Sequence, residues 1–143
     1  MSSGPEMLQE FWRTWEARGG RALVERYDEF FTEAAEWRPP MRELTKSHYI
    51  GSEGIAEYVR DVDAVLRDLR TQLLGIEEIA PEIYRIRVHM RGHGRVSDVP
   101  LDAVMTVVAR IEDGKIALAW ASYDPEAAQR AEDAIVHGER VPA

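Results

Sequence analysis

The chain has no cysteine. That excludes a disulfide framework and any thiolate metal site. Basic residues are also scarce: 18 Lys and Arg stand against 26 Asp and Glu, a formal charge of -8. Surfaces that hold nucleic acid or anionic lipid need clustered Lys and Arg, so neither partner is expected. No apolar run approaches the ~20 residues of a membrane span, and Glu6, Glu10 and Arg13 stand where a secretory signal needs an uncharged apolar stretch. A soluble cytoplasmic protein is expected. There is no glycine-rich phosphate loop, nucleophile elbow or zinc-type spacing, and His89-x3-His93 stands alone. No metal or cofactor is called for. The 143 residues show no internal repeat and suit one domain, with a core over about residues 8–128 and a polar tail after about residue 136.

What is present is a strong hairpin. Val99–Glu112 and Lys115–Asp124 are dense in Val, Ile, Met and Trp and flank Asp113-Gly114, a pair suited to the positive φ angles of a tight turn. Ahead of them, Ile83–Arg91 alternates strictly, with Tyr84, Ile86, Val88 and Met90 on one face and Arg85, Arg87, His89 and Arg91 on the other. Thr71–Ala80 is a β-type run with a bulge expected at Gly75, turned by Pro81-Glu82. Leu8, Phe11, Trp12 and Trp15 place a helix over Pro5–Arg18, ended by Gly19-Gly20. A second amphipathic helix carries Leu23, Val24, Tyr27, Phe30 and Phe31, and Ala34–Arg38 is a short strand stopped by Pro39-Pro40. A third helix has Ser52 as N-cap and a stripe of Ile55, Val59, Val62, Leu66 and Leu69. Pro125–Ile135 is a C-terminal helix. Helices followed by a run of strands make an α+β fold, with an antiparallel sheet curved over the helices.

Three segments, FWRTWEARGG, HYIGSEGIAEYV and GRVSDVPLDAVMTVVARIEDGKIALAWASYDPEAA, in this order of elements, resemble the nuclear transport factor two-like superfamily and within it the SnoaL-like proteins. The resemblance spans about Leu8 to Ala128. It implies a cone-shaped α+β barrel, three N-terminal helices packed on a curved, mostly antiparallel sheet, with an apolar pocket between them and a homodimer through the outer sheet face. Enzymes of this fold include ketosteroid isomerases, polyketide cyclases, scytalone dehydratases and limonene epoxide hydrolases. The isomerase pattern carries over poorly. Its general base falls on Arg38, which cannot take a proton at neutral pH, and its oxyanion donors fall on Trp12 and Val107. The epoxide-hydrolase acid falls on Ala121, and a later acid of that pattern on Asp124.

By strand parity Leu101, Ala103, Met105, Val107, Ala109 and Ile111 face the cone, joined by Ala117, Ala119, Ala121 and Tyr123. Trp12, Trp15, Tyr27, Tyr58, Tyr84, Met105, Val107 and Tyr123 are the candidate ligand contacts. Equally, the helix-one tryptophans fill the room as core. Glu36 and Arg38 share a face of the first strand. If that face lines the pocket, Glu36 is the best available acid or base, since desolvation raises a carboxyl pKa, and Glu36→Gln should then abolish activity. The plain reading is a surface ion pair. His48 precedes the third helix, placed either to close over the pocket mouth as a proton shuttle or simply on the surface. The four arginines and two histidines between Ile83 and Ser97 form a basic stripe, suited to an anionic ligand or matched by acids across a dimer. Trp120, on the outer face, is expected in that dimer. Two functional readings stand: a binder of a small apolar molecule with cofactor-free isomerase, cyclase or dehydratase chemistry, and a non-catalytic binding or dimerisation domain with a filled core.

Overall fold

The computed structural model describes residues 4–41 and 44–141. Helix α1 spans Gly4–Arg18 and buries Met7, Leu8, Phe11 and Trp12 along one side. It stops because Gly19 takes φ 76° and donates its N–H back to the Trp15 carbonyl at 2.9 Å, a left-handed cap that glycine adopts without steric cost. The single second helix expected from the periodicity is two short ones, α2 (Gly20–Glu25) and α3 (Tyr27–Phe30). Between them Arg26 leaves the helical region at φ -103° and ψ 25°, its guanidinium held by Glu29, Thr14 and Glu10. Phe31 is already strand, because it pairs with Ile116.

Strand β1 is Phe31–Arg38 and β2 is the short Tyr49–Ile50, leading into α4 at Gly51–Val65. Ser52 does not cap α4. Ile50 holds that position in extended conformation, and Gly51 makes the turn at φ 71°. The apolar stripe also stops sooner than its spacing suggests. Leu66 is extended and opens β3 (Leu66–Ala80), so Leu66 and Leu69 belong to the sheet.

Strands β4 (Ile83–Gly94), β5 (Pro100–Glu112) and β6 (Lys115–Ser122) follow, and α5 (Pro125–Val136) closes the chain. The sheet order is β2-β1-β6-β5-β4-β3. β1 runs parallel to β6, with helix α4 and four strands between them in the chain, and the other neighbours are antiparallel. Asp113 at φ 52° and Gly114 at φ 75° make the β5–β6 turn with both central residues left-handed. The β3–β4 register slips between Leu73 and Gly75, the bulge that a mid-strand glycine suggests.

A core lies on each side of this sheet. On the cone side, Tyr84, Ile86, Val88 and Met90 of β4 and Met105, Val107, Ala109 and Ile111 of β5 pack against α1 to α4. On β6 the parity expected from the sequence breaks. The ladder slips between Arg110 and Ile111, so Ile116 lies opposite Ile111, and Ile116, Ala119 and Ala121 join the cone while Ala117 does not. On the outer side α5 lays Ala128, Ala131 and Ile135 over Ile83, Val108, Leu118 and Trp120. Fully burying a large apolar side chain contributes roughly 1.5–3 kcal/mol, so this second cluster holds α5 firmly. Trp120 is therefore 3% exposed and covered by its own chain, not offered to a second copy. No helix among the described residues is long and apolar enough to cross a membrane.

Candidate functional site

Helix α1 enters the cone with Phe11, Trp12 and Trp15. Trp12 and Trp15 stack with centroids 5.2 Å apart and planes 9° from parallel, and Phe11 meets Trp12, Phe30 and Phe31 edge-on at 4.9, 5.4 and 5.5 Å. These rings fill most of the interior. The space left is a cavity of about 40 Å³, lined by Trp12, Trp37, Tyr58, Ile86, Val107 and Ala119 among other apolar residues. A water-sized group needs ~10–15 Å³ on this measure, so roughly three fit. Outside it a cleft of about 210 Å³ shares Trp15, Tyr58 and Val59 with the cavity and is bordered by Val62, Leu66 and Leu69, with Asp63 and Asp68 at its rim.

Few polar atoms lie in this interior. The indole nitrogens of Trp12 and Trp37 are buried without a hydrogen-bond partner in the protein, as is the Tyr123 hydroxyl. Each such orphan costs about 1–3 kcal/mol relative to a satisfied group. The Trp37 N–H approaches the Tyr58 hydroxyl closely enough to favour its ionised form, but the geometry falls short of a hydrogen bond. Burial outweighs that influence and raises the Tyr58 pKa, and burial pushes Tyr123 up to about 12. Both phenols therefore stay protonated at physiological pH. Among the described residues no carboxylate, histidine, lysine or arginine lines the cavity. The lining can hold an apolar body. It offers nothing that takes a proton at neutral pH.

Of the ligand contacts expected from the sequence, Trp12, Tyr58 and Val107 line the cavity and Trp15 stands at its junction with the cleft. Met105 is core and lies off the lining. Tyr27 stacks on Phe31 and donates to the Thr32 carbonyl at 2.6 Å, fastening α3 to β1. The Tyr84 hydroxyl reaches Gly4 at the start of α1, away from the cavity. Tyr123 packs at the core margin within electrostatic reach of Tyr58. Trp37 is the main residue the sequence reading passes over. Its signal was available: in an alternating strand, a residue between Glu36 and Arg38 takes the opposite face.

Glu36, Arg38 and His48 do come together, but elsewhere. Glu36 Oε1 lies 2.6 Å from His48 Nε2, and Glu36 Oε2 lies 3.6 Å from Arg38 Nε. In register, Glu36 is opposite Leu118 and Arg38 opposite Trp120, both members of the outer core, whereas Trp37 is opposite Ala119 of the cone. The trio thus stands half-exposed on the outside of the sheet. The condition for Glu36 as a desolvated base, that its face line the pocket, is not met. Nor does His48 close over the mouth; it borders a surface hollow with Glu53, Glu57 and Arg60. Tyr49 beside it is buried, donating to Asp61 at 2.6 Å.

Part of the basic stripe is matched by acids within the chain. Arg85 pairs with Glu132 at 2.6 Å and Glu77 at 2.9 Å, His89 with Asp102, and Arg95 with Asp63. His89 holds the Asp102 carboxyl below its usual range through their hydrogen bond. Of the remaining positions of the family's enzymes, Ala121 is fully buried core and Asp124 caps α5.

Comparison with known proteins agrees with this architecture. An NTF2-like protein of unknown function from Burkholderia pseudomallei superposes with a TM-score of 0.72 at 16% identity, covering 100% of both chains. TerC, co-crystallised with polyporic acid, gives a TM-score of 0.72 at 16% identity over 92% of this chain and 99% of its own. A candidate SnoaL-like polyketide cyclase from Jannaschia sp. CCS1 gives 0.68 at 13% identity over 92% of each chain. Likeness at this level of identity establishes the fold. No curated protein matches the chain. Residues 8–119 match the SnoaL-like domain, well over half of the sequence. The chain belongs to the SnoaL-like family of the NTF2-like superfamily.

Proposed function

We propose that this protein binds a small, mostly apolar molecule in the cone, non-covalently and without a carboxylate base of its own. The observation that carries the reading is the composition of the lining: aromatic and aliphatic walls, two buried indoles without partners, and no group that accepts a proton at neutral pH. Pockets that hold organic ligands are lined predominantly by apolar and aromatic side chains, and the walls here are of that kind. The co-crystal of TerC with polyporic acid is in keeping with a ligand for this fold. Among the described residues, none inside this cone is suited to isomerase or cyclase chemistry by proton transfer of the kind the acid-bearing enzymes of the fold perform. The cavity is small, so the ligand enters by displacing the Trp15 side of the aromatic plug or lies partly in the outer cleft.

A thermal-shift screen of flat one- and two-ring compounds tests this. A ligand at a hundred times its dissociation constant stabilises by about 2.7 kcal/mol, which moves the midpoint by several degrees. Ala119→Leu, which fills the cavity from the sheet side, should remove the shift. Uniform silence from a protein with a sharp transition would assign the cone to packing alone.

For a partner, we propose a second copy of this chain on the outer face of β4 and β5 that α5 leaves open. Val104 is 38% exposed there, opposite His89 in the β4–β5 pair.

A further inference from the structure

We infer that the hollow between α2 and α4, outside the cone, is a binding site for a phosphate monoester, a dianion carrying a small apolar group. The inference does not draw on the cone-binding reading.

The turn at Gly19-Gly20 builds the site. Gly19 takes φ 76°, and Gly20 lies so close to α4 that a Cβ there would stand 2.9 Å from a Val59 methyl. The backbone is thereby pressed on α4. Arg18 at the end of α1 and Arg21 in the first turn of α2 flank this turn, and with Arg60 of α4 they line one open hollow of about 460 Å³. Val24, Ala56 and Val59 form its apolar wall. Ala56, Val59, Arg60 and Asp63 fall at helical spacing on one face of α4, so a single helix supplies both wall and charge.

Elsewhere the chain matches its guanidiniums with its own acids: Arg26 with Glu10 and Glu29, Arg67 with Asp68 and Asp98, Arg85 with Glu77 and Glu132. Arg18, Arg21 and Arg60 have no ion pair or side-chain hydrogen bond among the described residues, although acids outnumber bases 26 to 18. The acids around the hollow are engaged. Asp63 shares its lining but holds Arg95 at 3.1 Å, and Glu57, one turn from Arg60, holds Lys46 at 2.9 Å. Three like charges are left together without a counterion from the chain. A guanidinium presents paired N–H donors that fit phosphate oxygens, and a phosphate monoester carries close to two negative charges at neutral pH. A cation gains nothing here, and a monocarboxylate offsets less of the charge. The apolar wall has no use for inorganic phosphate but accepts the organic substituent of an ester.

Titration calorimetry in chloride buffer with phenyl phosphate, inorganic phosphate and benzyl alcohol tests the site. Phenyl phosphate should bind, inorganic phosphate about fivefold more weakly for want of the apolar contact, and benzyl alcohol not at all. Added salt should weaken the ester, because the hollow is open to water. Arg18→Gln, Arg21→Gln and Arg60→Gln alter exposed side chains, so each should fold and lower affinity by about fivefold. Arg130→Gln removes the same charge from the exposed face of α5 and should change nothing. An equal loss in Arg130→Gln would reduce the effect to overall charge and overturn the site. So would phenyl phosphate failing to bind, an outcome that leaves the cone reading, tested with uncharged apolar compounds, intact. Inorganic phosphate binding as tightly as the ester overturns the assignment of an organic phosphate. Vesicles of phosphatidylcholine and phosphatidic acid separate a lipid headgroup from a soluble ester: capture of the protein by them, with no response to phenyl phosphate, overturns the small ester.

Discussion

Glu36 and His48, twelve positions apart, meet at 2.6 Å on the side of the sheet turned away from the cone. The contact fastens the loop between β1 and β2 to the strand it leaves. Both side chains are about one third exposed, and water screens such pairs to roughly 0–1 kcal/mol. Glu36→Gln should lower stability in urea by no more than that and leave cone binding unaltered. Loss of ligand affinity in this variant would contradict the placement of Glu36 outside the cone.

Trp120 and Val104 both face outward from the sheet, yet only Val104 meets solvent. Trp120→Glu forces a carboxylate beneath α5 and should cost about 3–5 kcal/mol or prevent folding, seen as a lowered or missing thermal transition. Val104→Glu should cost under about 0.5 kcal/mol and turn a dimer into a monomer in sedimentation velocity. A Val104→Glu protein with the mass of the parent dimer, or a parent that is monomeric, would dispose of the open face as an interface.

Burial raises the pKa of Tyr27, Tyr49, Tyr58, Tyr84 and Tyr123, with Tyr123 at about 12. An unfolded tyrosine ionises near pH 10. A pKa raised in the folded state means that stability is fully present below pH 10 and declines as pH rises toward 12 and beyond. Absorbance at 295 nm should show little phenolate in the native protein at pH 10, and the urea midpoint should fall between pH 10 and 12. Full titration at pH 10 with an unchanged midpoint would refute the burial of these hydroxyls.

Asp124 accepts the Glu126 N–H at 3.1 Å and precedes Pro125, so it begins α5 as an N-cap with proline in the first turn. Asp124→Ala should destabilise by about 1 kcal/mol, and Asp124→Ser should restore most of it. Both variants should bind cone ligands as the parent does. A tenfold loss of binding in Asp124→Ala would give this residue a role beyond the cap.

Much of the fold was legible because it is written in neighbouring residues. The positive-φ turn at Asp113-Gly114, the alternation from Ile83 to Arg91, the N-terminal helix and its glycine stop each depend on contacts within a few positions. The resemblance to SnoaL-like proteins rested on the same local patterns in their order. Errors arose where a distant segment overrode a local preference. Phe31 fits the helical stripe, but pairing with Ile116 draws it into the sheet. Leu66 and Leu69 fit the stripe of α4, yet they pair with β4 or pack beside it.

Alternation alone determined that Glu36 and Arg38 share one face of a strand and that Trp37 takes the other. Which face closes over the cone was decided by the parallel pairing of β1 with β6, a contact across some eighty positions of chain. The slip between Arg110 and Ile111 then put Ile116 in the cone in place of Ala117, and packing of α5 withdrew Trp120 from solvent. Arg85 and Glu132, 47 positions apart, became partners by the same closure. Local sequence determined the kinds of element, because backbone propensity and periodicity act over a turn or two. The site was decided by register, which only the assembled sheet specifies.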